Sequence, residues 1–241
     1  MVEAELRGQV VLVTGASRGL GRALALAFAR AGARVAVCAR GAGGLEDTVT
    51  AVRALGGEAL GRTADVTDAP AMRAFVAHVE ARWGGVGALV NNASILDARL
   101  PLRDVELADW RSVLEVNLTG ALIASQAVLP GMRARGTGSI INVSSGVANE
   151  PRAEWGAYAV SKAALEALTW NMAREEGGGG VRVNAVDPGR MRTPMRATAY
   201  PDEDPATVPE PSEVAGIFLW LASAGSTGVT GQRFRAAGWD G

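Results

Sequence analysis

Lys162 is the only lysine in the 241-residue chain; every other basic side chain among the 24 is arginine. It stands four residues after Tyr158, in the stretch WGAYAVSKAAL (155–165). On a helix those two residues share one face, one turn apart. An arginine would bring a planar, permanently charged fork, whereas lysine is a compact point charge on a flexible stem. A phenol with an ordinary pKa of about 10 is a poor base at neutral pH. A neighbouring ammonium favours the phenolate and lowers that value. Tyr158 then becomes a usable proton donor or acceptor for interconverting an alcohol and a carbonyl. Ser145, at the end of the preceding apolar run, is placed to hydrogen-bond the substrate oxygen and hold it within reach of Tyr158.

A second stretch points to a nucleotide. VVLVTGASRGLGRALALAF runs from an apolar strand through Gly15, Gly19 and Gly21 into a helix. Glycines at such a turn let backbone N–H groups approach a phosphate, and the helix N-terminus adds its partial positive charge. The spacing is G-x-x-x-G-x-G rather than the common G-x-G-x-x-G. The second strand ends AVCAR, with Arg40 where an acid would hold a ribose 2′-hydroxyl. With Arg18 inside the glycine loop, two guanidinium groups and no carboxylate favour a 2′-phosphate, hence NADP(H) over NAD(H). The competing explanation is two ordinary solvated arginines in an arginine-rich chain.

These residues need elements to hold them. Short β-branched runs at 10–14, 34–39, 58–66, 88–92, 139–145 and 181–189 alternate with Ala/Leu-rich stretches of helical spacing. One of the latter is a long helix around 107–134. The runs are continuously apolar rather than alternating, as in a parallel sheet covered on both faces. Right-handed βαβ units and an α/β, doubly wound sheet follow. Residues 1–241 read as a single domain, with a Pro- and acid-rich substrate loop near 190–211.

Composition narrows the classes. The chain is 48% hydrophobic and 20% charged with a net charge of −1, which leaves no basic excess for nucleic acid. Cys38 and His78 are each the sole residue of their type, so neither a disulfide framework nor a metal site is expected. MVEAELRGQ is not a signal peptide, and no run of about 18 apolar residues is evident. A cytoplasmic enzyme with no membrane contact is the expectation.

Taken together, TGASRGLG, ADV (64–66), NNAS (91–94), NLTG (117–120), INVSS, YAVSK and VNAVDPGRMRTPM resemble the short-chain dehydrogenase/reductase family. The resemblance implies a Rossmann-type domain with a seven-stranded parallel sheet, assembled as a homotetramer or dimer. It implies Tyr158 as acid/base, Lys162 on the nicotinamide ribose and lowering the tyrosine pKa, and Ser145 on the carbonyl. Asn117 would support a water that relays protons to Lys162. Gly15, Ser17, Arg18, Gly19, Leu20 and Gly21 would line the pyrophosphate and adenosine side, with Arg40 on the 2′-phosphate. Asp65 and Val66 would take the adenine, and Asn91 and Ala93 the adenosine ribose. Pro188, Gly189, Met191 and Thr193 would cradle the nicotinamide.

Two departures stand out: Ser94 where the family usually has glycine, and a C-terminus, TGQRFRAAGWDG, without the common acidic-Gly-Gly ending. The expected activity is NADP(H)-dependent interconversion of a small-molecule carbonyl and alcohol. A 3-oxoacyl carrier-protein reductase is the alternative within enzymes; Arg190, Arg192 and Arg196 would favour an acidic carrier and Asp202, Glu203 and Asp204 oppose it. A non-catalytic NADP(H)-binding regulatory protein is the alternative outside them, opposed by the intact Asn117, Ser145, Tyr158 and Lys162 set.

Overall fold

A computed structural model describes residues 6–239. Seven parallel strands form one sheet in the order β3-β2-β1-β4-β5-β6-β7. They are β1 (Val10–Thr14), β2 (Arg34–Ala39), β3 (Ala59–Thr63), β4 (Ala88–Asn91), β5 (Gly138–Val143), β6 (Val181–Asp187) and β7 (Arg233–Arg235). The helices are α1 (Gly19–Arg30), α2 (Gly43–Ala54), α3 (Ala69–Trp83), α4 (Leu107–Leu114), α5 (Gly120–Arg135), α6 (Gly156–Glu176), α7 (Pro194–Ala199) and α8 (Ala215–Ala222).

The two-residue period of a strand divides the core. Val11 and Val13 of β1 join Val35 and Val37 of β2 in a layer closed by Leu24, Phe28, Phe218 and Leu221 of α1 and α8. Val10, Leu12, Ala36 and Cys38 face the other way, onto Met72, Phe75, Val128 and Met132 of α3 and α5. Both faces are dry, which is why these strands carry no polar alternation.

Local chemistry sets the ends of the elements. Asp68 caps α3 by accepting from the Ala71 N–H at 2.9 Å, and Gly84 closes it at φ 87°. Gly136 ends α5 at φ 64°.

Three expectations need adjustment. The run expected at 58–66 shortens to Ala59–Thr63, because β3 is an edge strand with Arg62 and Thr63 exposed. The helix expected over 107–134 is interrupted by a π turn, Glu115–Thr119, a device common at functional sites. The whole segment, Leu107–Arg135, is 29 residues long with mean hydropathy 1.4 over its most apolar stretch, enough by length and composition to cross a membrane. That corrects the reading that no such run exists. Half of the stretch is buried inside the fold, where α5 packs against α3, β4 and β5.

The strand order reverses between β1 and β4, and their ends are fastened there. Asn92 Nδ2 donates to Thr14 O (2.8 Å) and Gly15 O (3.1 Å), and Thr14 Oγ1 accepts from the Asn92 and Ala93 N–H groups. Gly15, at φ +65°, lies so close that a Cβ would sit 2.7 Å from Ala93 Cα. At Gly19 (φ +56°) a Cβ would meet the Thr193 side chain at 3.4 Å and the Pro194 ring at 4.0 Å. Left-handed strain is common to both sites, but only Gly15 abuts backbone. Gly15→Ala is expected to lower Tm by roughly 5–15 °C and Gly19→Ala by clearly less. Equal losses in thermal unfolding would contradict the close approach.

Candidate active site

At the C-terminal ends of the strands lies a cavity of about 580 Å³. Open α/β sheets bind ligands in such a crevice, at the point where strand order reverses. The β1–α1 turn supplies Gly15, Ser17, Arg18, Gly19 and Leu20 to its wall. Arg40, Asp65, Val66 and Ala93 come from the ends of β2, β3 and β4. Ser145, Tyr158 and Lys162 form the opposite end, with Pro188, Gly189, Met191 and Thr193 arriving after β6.

Three expected residues are elsewhere. Asn91 is buried in β4 and donates to Asn142 Oδ1 at 2.8 Å and Ser125 Oγ at 3.0 Å, so the wall is made by Asn92 and Ala93 instead. An alternating strand points neighbouring side chains oppositely, and Asn91 has the inward one. Gly21 is a spacer behind the wall: a Cβ there would lie 2.5 Å from Gly15 O. Asn117, in the π turn, spends its amide on the chain. Its Oδ1 accepts from Ile95 N–H at 2.8 Å, and its Nδ2 donates to Ile95 O and Ser161 Oγ, both at 3.0 Å.

Lys162 is 1% exposed and donates from Nζ to Val143 O at 2.8 Å. The nitrogen lies 5.6 Å from the centre of the Tyr158 ring. Burial pushes the amine down to about 7. It also pushes Tyr158 up to about 12, aided by the negative Asp187 and opposed by the hydroxyls of Ser145 and Ser94. The expected lowering of the phenol by Lys162 is therefore reversed in this structure. Desolvation of both groups outweighs an ammonium that is itself easily neutralised. Tyr158 is held as a protonated phenol, suited to giving a proton to a carbonyl oxygen.

Several site residues carried no signal in the sequence. Glu166, one turn beyond Lys162, is 2% exposed. It accepts from Ser144 Oγ, from Asn149 Nδ2 at 2.8 Å and from Arg233 Nε at 2.8 Å. Arg233, in β7, also donates to Asp187 Oδ2 at 3.1 Å, while Asp187 Oδ1 accepts from Gly189 N–H at 3.0 Å. Arg233 thus bridges two buried carboxylates beside Ser145 and the 188–189 turn, with Arg235 Nε a further 3.7 Å from Asp187 Oδ2. The partners lie 67 and 46 positions apart, beyond any local pattern. Trp155 stands over the mouth, 5.7 Å from the Tyr158 ring and 6.1 Å from Tyr200. Arg99 lies over both Trp155 and Tyr200, at 5.4 and 5.2 Å.

The residues match the short chain dehydrogenase family over positions 9–204. This chain belongs to that family. The 3-oxoacyl carrier-protein reductase FabG of Thermotoga maritima is 38% identical over 94% of this chain and 95% of its own length. The cis-4-hydroxycyclohexanecarboxylate dehydrogenase of Sinomonas cyclohexanicum is 36% identical over 92% of each. Among solved structures, a short chain dehydrogenase of Escherichia coli CFT073 complexed with NADPH superposes with TM-score 0.92. It has 31% identity and coverage of 98% of this chain and 99% of the other. As a short chain dehydrogenase, the protein is an oxidoreductase, and its seven-stranded Rossmann-type sheet is the one expected.

Burial of Lys162 has a measurable consequence. Its ordinary value is 10.5 and its folded value about 7, so the unfolded chain binds more protons between those limits. Stability therefore rises with pH there. Cys38, pushed from 9.0 to about 12, and Tyr158, from 10.0 to about 12, act in the opposite direction from about pH 9 upward. Between pH 7 and 9, Tm should climb in the parent and climb less in Lys162→Met. Equal slopes would show that the amine is not desolvated.

Proposed function

We propose that the protein is an NADP(H)-dependent carbonyl reductase, or the reverse alcohol dehydrogenase, acting on a small or medium organic molecule. The observation that carries this reading is the convergence of Ser145, Tyr158 and Lys162 at one end of a cavity whose other end is a glycine turn flanked by Arg18 and Arg40. The residues present fit a nicotinamide dinucleotide. The positive φ of Gly15 and Gly19 leaves the turn without side-chain bulk at the helix N-terminus, the arrangement that receives a pyrophosphate. Among the described residues, Arg18 and Arg40 form no ion pair, and both are exposed.

When bound, the cofactor would supply or accept the hydride. The chain's part is to bind and orient, and to move one proton. Ser145 would hold the substrate oxygen, and Tyr158 would give its phenolic proton to that oxygen as negative charge develops there. Lys162 would hold the ribose side by its amine, from a position fixed by Val143 O.

A carrier-protein substrate fits less well. Arg196 is held by Glu203 through two bonds of 2.7 Å and lies 3.9 Å over the Tyr200 ring. Arg192 pairs with Glu210 at 2.7 Å. Of the three arginines that would greet an acidic carrier, Arg190 makes no ion pair within 4 Å among the described residues, though its charge also acts on Glu203. The Trp155 ring in the cavity wall, with Tyr200 packed against it at 6.1 Å, instead suits a ring or acyl chain presented free.

Cofactor absorbance in the presence of ethyl acetoacetate, cyclohexanone, aromatic aldehydes and a 3-oxoacyl carrier-protein thioester tests the reading. Turnover of free carbonyls is expected to exceed that of the carrier-bound thioester. Tyr158→Phe should abolish turnover while NADPH binding stays within about threefold; substantial activity in that variant would remove Tyr158 from the reaction. Arg40→Asp should weaken NADPH far more than NADH, since a carboxylate repels a 2′-phosphate and accepts from a 2′-hydroxyl. Equal affinity of the parent for the two cofactors in a fluorescence titration would refute the preference.

A further inference from the structure

Ser94 occupies the position where glycine was expected. Its hydroxyl oxygen is buried and has no hydrogen-bond partner of good geometry among the described residues. The residue lines the same cavity as Ser145 and Tyr158, and its hydroxyl lies within polar reach of the phenol. The backbone around it is fixed on both sides. Ala93 N–H donates to Thr14 Oγ1 at 3.0 Å, and Ile95 is held through both its N–H and its carbonyl by Asn117. A buried hydroxyl without a partner is destabilising. Here a clamp built from β1 and the π turn holds it beside Tyr158, the group that meets the reacting oxygen in the proposed chemistry.

We propose that Ser94 is a further catalytic residue, whose hydroxyl donates to the substrate oxygen beside Ser145. This rests on the carbonyl-reduction reading. In reduction, the carbonyl carbon takes the hydride of the reduced nicotinamide, the C=O π pair moves to oxygen, and that oxygen takes the Tyr158 proton. Ser94 transfers nothing; its O–H bond stays intact while its hydrogen bond strengthens as the oxygen becomes anionic. Such a donor acts on the transition state more than on the bound substrate, so its loss falls on kcat rather than KM.

The experiment is Ser94→Ala, assayed with ethyl acetoacetate or cyclohexanone, whichever the parent reduces faster, together with a thermal melt without cofactor. The expected result is a fall in kcat of about 10- to 100-fold, with KM for the carbonyl and for NADPH changed less than about threefold. Because the lost hydroxyl has no well-formed bond, Tm should hold within roughly 2 °C. Parental kcat would overturn the proposal. So would a lowered Tm, which would mean the hydroxyl is a structural bond, or a raised KM for NADPH with kcat intact, which would give it to the cofactor. Tyr158→Phe run alongside separates the two levels. If that variant keeps turnover, the carbonyl reading fails; if it is inactive while Ser94→Ala is unimpaired, only the role of Ser94 fails.

Discussion

The site depends on one buried amine. Lys162 is carried into the interior by α6 and finds a single protein acceptor, the carbonyl of Val143 at the last residue of β5. A carbonyl at a strand's end is free to accept because its ladder stops there. That places the amine at the sheet's C-terminal rim, between the helix that bears Tyr158 and the strand that leads to Ser145. An arginine fork could not be satisfied by one carbonyl in so enclosed a space, since it brings five donors. A lysine meets that constraint with one donor on Val143 O and keeps two others toward the cavity it lines.

Around that point the fold supplies rigidity in two places. At the strand-order reversal, Thr14 and Asn92 tie β1 to β4 through side-chain bonds to backbone, holding the glycine turn against the chain that carries Ala93 and Ser94. On the other side, Glu166, Arg233 and Asp187 join α6, β7 and β6 in a paired charge network under the 188–189 turn. Binding chemistry and proton chemistry are thus mounted on separate braces, and the cavity is the gap between them.

The parts legible in the sequence are those whose cause is local. Strands β1 and β2 follow from β-branched runs, the first turn from its glycines, and the Tyr158–Lys162 pair from helical spacing. The fold class follows from the alternation of such segments. What was not legible depends on neighbours far along the chain. Asn91 and Asn92 are the same residue type side by side, and only pairing with β1 and β5 decides which one faces the cavity. Asn117 lies in a π turn that no periodicity announced, and its amide turns to Ile95 rather than to the cavity. The direction of the Tyr158 shift was misread because proximity to a cation is visible in a motif while desolvation is not. β7 was expected only through resemblance; RFR alone is too short and too polar to announce a strand.

The place of Arg233 bears on how the chain matures. Glu166 and Asp187 are 5% exposed or less at their side chains, and their shared cation arrives with the seventh strand. Until residue 233 has been made and has paired with β6 at Ala185, both carboxylates lack that cation. Breaking a buried charge arrangement in this way costs about 3–5 kcal/mol. A nascent chain that has already formed its glycine turn and its Tyr158 helix is therefore still unfinished at its centre. A chain stopped before that strand would lack the cations that pair Glu166 and Asp187 under the 188–189 turn.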